Sequence, residues 1–257
     1  MSPRPARVGV FCFWAVFARK FAQTPGMSPI KRFLLSSNGR KTVMALTGLF
    51  LILFLVVHLA GNLQLLVPDQ GRSFNEYSHF MSHSLLIQTV SKLNFAFIIL
   101  HVLYSLWLTK QANAARPVGY QGRPAKEMTT WSSRNMGILG TLVLAFLLVH
   151  LKGFWFELKF GEVPVVLYPG AEESLPDAFR VVSEAYANPM YALFYVLSMV
   201  AVGFHLYHGF QSAFHTLGLS NYRYKPMIRT VGTLFAVAVP ALFALIPVVM
   251  YLQKAGY

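Results

Sequence analysis

The sequence predicts an all-α integral membrane protein, a bundle of five transmembrane helices with its N-terminus cytoplasmic and its C-terminus outside. Three observations carry that expectation. Hydrophobic residues make up 55% of the chain and charged residues only 12%, with a mean hydropathy of +0.50. Soluble domains carry about a quarter charged residues, so this chain is built to be solvated by lipid. Charge-free intervals recur at lengths suited to a hydrocarbon core of about 30 Å. The basic residues avoid those intervals and collect on alternate connections, a pattern of membrane orientation and not of a nucleic-acid surface.

Taken in order, residues 1–30 read as an N-terminal extension and residues 31–257 as the membrane domain. The apolar stretch VGVFCFWAVF is short, flanked by arginines and without a small-residue cleavage pattern, so it does not read as a signal peptide. It is either an interfacial arm or an over-extended reading frame ahead of Met27. The first span, at about 42–67, follows Lys41, with Ser36–Ser37–Asn38 as its N-cap. The second, at about 86–109, joins SLLIQTV to LNFAFIILHVLYSLWLT. The third, at about 135–156, lies between Arg134 and the acidic segment that follows GFWF. The fourth, at about 189–217, begins at Pro189, and the fifth, at about 230–253, contains Pro240 and Pro247, which should bend it. With the N-terminus inside, sixteen of the 22 Lys and Arg fall on inner segments with Glu127 as their only acid. The other eight acids fall on outer segments, which is the positive-inside distribution.

A single cysteine, Cys12, excludes a disulfide framework, a cysteine zinc site and a protein-ligated iron–sulfur cluster. No glycine-rich phosphate loop or c-type haem attachment motif is present. Histidine inside a bilayer is uncommon and marks a functional candidate. Here His58, His101, His150 and His205 fall one to each of the first four spans. Measured from the inner edge of each span, His58 and His150 are about 25 Å deep, His101 about 14 Å and His205 about 18 Å. They sort into an outer pair, His58 with His150, and an inner pair, His101 with His205, on levels about 10 Å apart. Two imidazoles on facing helices can hold an iron porphyrin between them, leaving no open coordination site and therefore an electron carrier. Two b haems are the reading these residues favour. Glycines on the same helices, Gly48, Gly61, Gly137, Gly140, Gly203 and Gly209, would make room for the macrocycle or for close helix packing.

The stretches KTVMALTGLFLILFLVVHL, FAFIILHVLYSLWLT, GTLVLAFLLVHL and HLYHGFQSAFHTLGL, in that order, resemble the four ligand-bearing helices of a known family. It is the di-haem cytochrome b membrane anchor of succinate:quinone oxidoreductases and fumarate reductases (complex II). The resemblance covers approximately residues 30–253. Its fourth-helix pattern matches His205, Gly209 and Gly218, and so selects His205 over His208 as ligand. The resemblance implies an inner haem, held by His101 and His205, nearest an iron–sulfur subunit, and an outer haem held by His58 and His150. It implies flavoprotein and iron–sulfur partner subunits, menaquinone as the membrane substrate, and a place in a bacterial cytoplasmic membrane. FRVVSE matches a family stretch whose arginine meets a haem propionate, which makes Arg180 the candidate. Fumarate reductases of this type carry a glutamate two positions before the fourth ligand, where this chain has Gly203. That departure favours the succinate-oxidising branch.

Further candidates come from the residues themselves. His79 and His83, four apart and beside Glu76, could share a helix face and serve a quinone headgroup, or simply face solvent. His208 could reach an inner propionate or favour the helix end, the latter reading suiting His215 better. Arg40 and Lys41 could hold a propionate, meet a partner subunit or anchor the span by charge. Two rival functions use the same histidines: the cytochrome b anchor of another membrane dehydrogenase, of hydrogenase or formate dehydrogenase type, and a haem-free proton-coupled transporter. The first distributes its histidines differently among the helices, and the second calls for inverted repeats or broken helix pairs that the sequence lacks.

Overall fold

The computed structural model describes residues 27–114 and 131–256. The stretch VGVFCFWAVF and the loop cations Arg116, Arg123 and Lys126 lie outside the described residues. The chain divides into two units, Met1–Arg40 and Lys41–Tyr257. In the first, helix α1 (Pro29–Leu35) opens with proline at its first turn and with the Ser28 side chain accepting from the Lys31 N–H at 3.3 Å, which satisfies one of the free N-terminal donors. Ser36 ends α1, and its Oγ accepts from the Gly39 N–H at 3.0 Å, so it caps the next helix, α2 (Ser37–Asn62), which continues into the second unit.

The described residues of the second unit are helical apart from one short hairpin and the connecting turns. Helix α2 runs on through a 3₁₀ turn, Leu63–Leu66. After it come α3 (Arg72–His83), α4 (Leu85–Ala114) and the single turn α5 (Trp131–Arg134). Helix α6 (Met136–His150) passes through a π-helical segment, Leu151–Phe156, into α7 (Glu157–Phe160). Strands β1 (Val165–Val166) and β2 (Leu175–Pro176) pair antiparallel, and α8 (Ala178–Tyr186), α9 (Pro189–Thr216) and α10 (Lys225–Lys254) complete the chain. Among the described residues, five stretches are long and apolar enough to cross a membrane: Ser37–Leu66, Leu85–Ala112, Met136–Phe160, Pro189–Thr216 and Lys225–Lys254. Their outward faces carry Leu53, Leu103, Leu148, Leu197 and Val237, each more than half exposed. Such faces are stable only against hydrocarbon, and helices that satisfy their own backbone can cross it. The fold is that of a multi-pass, all-α membrane protein.

Helix α10 stays unbroken through Pro240 and Pro247, both buried. Proline has no N–H, so the carbonyl four residues earlier, that of Ala236, loses its helical donor. Gly203 of α9 packs against that same carbonyl: a Cβ there would lie 3.1 Å from the Ala236 oxygen. Any side chain at 203 would therefore need the α9–α10 crossing to give by a few tenths of an ångström, which favours glycine there.

Buried apolar residues concentrate at one end of the unit. Leu65, Phe74, Phe154, Val182, Tyr186, Tyr195, Ile246 and Met250 belong to one cluster there, beneath a cap made of α3, the hairpin and α8. Asn75 pins the cap and is fully buried. Its Nδ2 donates to the Tyr168 hydroxyl (2.8 Å) and to Asp177 (2.9 Å), while its Oδ1 accepts from the Phe179 N–H (2.8 Å). Asp177 also caps α8 by accepting from the Arg180 N–H at 3.1 Å. The turn into α3 uses Gln70 and Gly71 at φ of 58° and 84°. Asp69 closes it by accepting from the Gly71 and Ser73 N–H groups and from the Ser73 hydroxyl. These donors hold its carboxyl below the usual range, the Ser73 hydroxyl first among them.

Candidate functional site

Four helices bring the four intramembrane histidines together in two pairs. The rings of His58 (α2) and His150 (α6) are 5.7 Å apart between centres and nearly perpendicular, at 87°. Those of His101 (α4) and His205 (α9) are 6.4 Å apart at 66°. Each pair therefore brings together imidazoles from two different helices. The two levels are separated by about 15 Å along the helices, given about 1.5 Å per residue. On α9, Tyr195 reaches His150 and stands ten residues before His205; on α2, Thr47 reaches His101 and stands eleven before His58. The separation is larger than the sequence estimate of about 10 Å, because flanking charges are uneven markers of where each span begins.

Whether these residues suit a haem can be tested on their geometry. A metal–imidazole bond of about 2 Å and about 1.1 Å from nitrogen to ring centre put the ring centres of a bis-histidine site about 6.3 Å apart. The separations of 5.7 and 6.4 Å bracket that value. Neutral ligating histidines present Nε2 and give Nδ1–H to an acceptor. His101 Nδ1 lies 3.1 Å from Thr47 Oγ1, and His150 Nδ1 lies 3.4 Å from Tyr195 Oη. His58 Nδ1 instead faces the Asn62 amide nitrogen at 3.3 Å, and the buried His205 Nδ1 has no hydrogen-bond partner among the described residues. Small residues flank the inner pair. A Cβ on Gly48 would lie 3.3 Å from His101 Cε1, and one on Gly140 would lie 3.9 Å from His205 Cε1. Gly61 packs against Tyr77, and Gly203 against α10. The residues fit the group in the spacing of the rings and in their imidazole donors, with an Nδ1 neighbour able to accept at one ligand of each pair.

Aromatic rings enclose the outer pair. Phe54 stacks on His58 at 5.2 Å, Phe243 lies 5.6 Å away, and Phe146, Phe154 and Tyr195 surround His150. Behind His150, Tyr195 Oη meets Tyr191 Oη at 3.1 Å. Gly153 makes that contact possible, since a Cβ there would lie 2.2 Å from the Tyr191 hydroxyl. The π-helical segment that starts right after His150 sets this face, and such segments commonly mark functional positions.

The remaining candidates lie as follows. Arg180 is exposed and pairs with Glu184 at 2.7 Å, which holds the Glu184 carboxyl below its usual range. Glu76 is committed to Arg72 at 2.7 Å, one turn earlier on α3. His79 and His83 do share a face, stacked at 4.1 Å, with His83 Nδ1 2.8 Å from the His79 carbonyl. His208 is half-buried one turn beyond His205. The Arg40 guanidinium donates to the Leu35 carbonyl, and Lys41 is exposed. Sequence reasoning missed Thr47, Asn62, Tyr191, Tyr195 and Asn75. Asn62 stands one turn from His58 and was findable by the four-residue rule. Compared with known proteins, the chain matches no family model, no curated protein and no solved structure.

Proposed function

We propose that this chain is the di-haem cytochrome b membrane anchor of a succinate:quinone oxidoreductase or fumarate reductase, oriented with its N-terminus in the cytoplasm of a bacterial cell. The observation that carries the reading is the cross-helix pairing of one histidine from each of the first four spans, at ring separations of 5.7 and 6.4 Å. His58 with His150 and His101 with His205 would hold two b haems, and the chemistry these would supply is one-electron transfer. The protein holds them in low-dielectric surroundings and fixes their orientation. A flavoprotein and an iron–sulfur subunit deliver electrons at the inner, basic face, and menaquinone takes them up within the membrane. Arg180, Arg40, Lys41 and His208 are propionate candidates in this reading. Glu76, His79 and His83 are quinone-site candidates, with Glu76 already engaged by Arg72. The chain's own part is electron transfer and quinone binding.

The test is a pyridine haemochrome assay with protein quantitation on the assembled preparation. Two b haems per chain support the reading. A preparation that is folded and haem-free refutes it and leaves the transporter reading ahead.

A further inference from the structure

We propose, resting on the di-haem reading, that Thr47 and Tyr195 are positioning residues that hold His101 and His150 in the Nδ1-protonated tautomer. Each hydroxyl is supplied to one histidine pair by the helix that carries a ligand of the other pair.

The tautomer at His101 follows from hydrogen-bond accounting. Thr47 is buried, and its Oγ1 lies 2.9 Å from the Val43 carbonyl and 3.1 Å from that of Met44. Buried threonines in helices commonly direct their one hydroxyl proton to the carbonyl four residues back. With the proton so directed, Oγ1 accepts from His101 Nδ1–H, 3.1 Å away. His101 therefore carries its proton on Nδ1 and keeps the Nε2 lone pair for a metal. Tyr195 repeats the arrangement at the other level. It is buried, and its Oη stands 3.4 Å from His150 Nδ1 and 3.1 Å from Tyr191 Oη, where either hydroxyl can donate; with its own proton directed to Tyr191, Tyr195 accepts from His150 Nδ1–H.

The spacing explains how one helix serves both levels. Eleven residues separate Thr47 from His58, and ten separate Tyr195 from His205. Both are close to three turns, about 10.8 residues, so each helix presents its ligand and its hydroxyl on one face. Each pair thus contains one supported imidazole and one without an acceptor, His58 and His205 being the latter. An imidazole whose Nδ1–H is held by an acceptor is the stronger electron donor, and stronger donation favours the oxidised metal.

Redox titration of the assembled complex, with optical and electron paramagnetic resonance detection, tests the assignment. Thr47→Val should shift the oxidised-to-reduced ratio of the haem held by His101 and His205 about tenfold toward reduced, or about 59 mV for a one-electron couple. The other haem should stay at its wild-type potential, and Thr47→Ser should restore the first. Tyr195→Phe should move only the haem held by His58 and His150. If Thr47→Val loses its haem, Thr47→Ser decides: a wild-type potential supports the hydroxyl role, and a matching loss overturns it. Unmoved potentials in both variants, or equal movement of both haems by either one, overturn the inference while leaving the di-haem reading intact. A wild type without haem removes that reading itself, and the inference with it.

Discussion

Replacing Asn75 by alanine should detach the cap from the bundle without unfolding the spans. Asn75 is fully buried, and its amide ties α3 to two other elements by three bonds: to the hairpin loop through the Tyr168 hydroxyl, and to α8 through the capping Asp177 carboxylate and the Phe179 N–H. The bond to a charged acceptor and the abandoned N–H are the costly items, and Tyr168 keeps only a 3.5 Å contact to the Gln70 carbonyl. Losing the three together costs about 3–5 kcal/mol, more than most single substitutions. Hydrogen exchange on the detergent-solubilised chain is the appropriate assay, because it reads local opening apart from global unfolding. A loss of 3 kcal/mol in the cap should speed exchange at Val181 and Val182 by about a hundredfold or more. Amides in the middle of α9 should keep their rates. Asn75→Asp should be worse, because it sets a second carboxylate oxygen against Asp177 in place of a donor. Exchange at Val181 and Val182 within threefold of wild type would refute the reasoning.

Three further outcomes are expected. Gly71→Ala should destabilise the cap twice over, since the position has φ of 84° and a Cβ would lie 2.2 Å from the Phe179 ring; thermal melting of the variant should show an earlier loss of the cap, and an unchanged melt would contradict the geometry. Asp69 has a depressed folded-state pKa, so its contribution is fully present above the unfolded value of about 3.9 and is lost as pH falls through the folded value; limited proteolysis at the turn into α3 should therefore increase in acid, and Asp69→Asn should flatten that dependence. His101→Ala should remove one of two haems by haemochrome assay and leave the spectrum of the other, whereas loss of both or neither would contradict independent pairing.

Much of the architecture was readable because a bilayer imposes simple rules. Apolar length gave five spans, and the pairing of histidines followed from counting residues along antiparallel helices. The separation of the levels was underestimated because Arg134 and Lys110 are not equally placed relative to the helices they bound. Arg180 was singled out by the FRVVSE resemblance and Glu76 by its place beside His79 and His83, yet both stand four residues from an opposite charge, Glu184 and Arg72, and the helical spacing already implied those pairs. Thr47 went unnoticed in an apolar run, because its meaning depends on a partner 54 residues away. Asn75 was hidden among more reactive neighbours in FNEYSHFMSHS, and only the tertiary cap makes it the buried member. Gly203 read as a missing acid, while the structure gives it a task of its own against the carbonyl that Pro240 leaves unpaired.

The widened segment Leu151–Phe156 also determines where the third span can change in length. A π-helical turn holds one residue more than the α-helical turn it replaces. Removing Lys152 should let that turn tighten to α-helix, with the residues on either side keeping their bearings. Removing one residue lower in the same helix, such as Leu144, has no such slack to draw on and would swing His150 by about 100° away from His58. The same deletion is absorbed at one site and breaks a histidine pair at the other, so insertions and deletions in related chains should gather just past His150 and be absent before it.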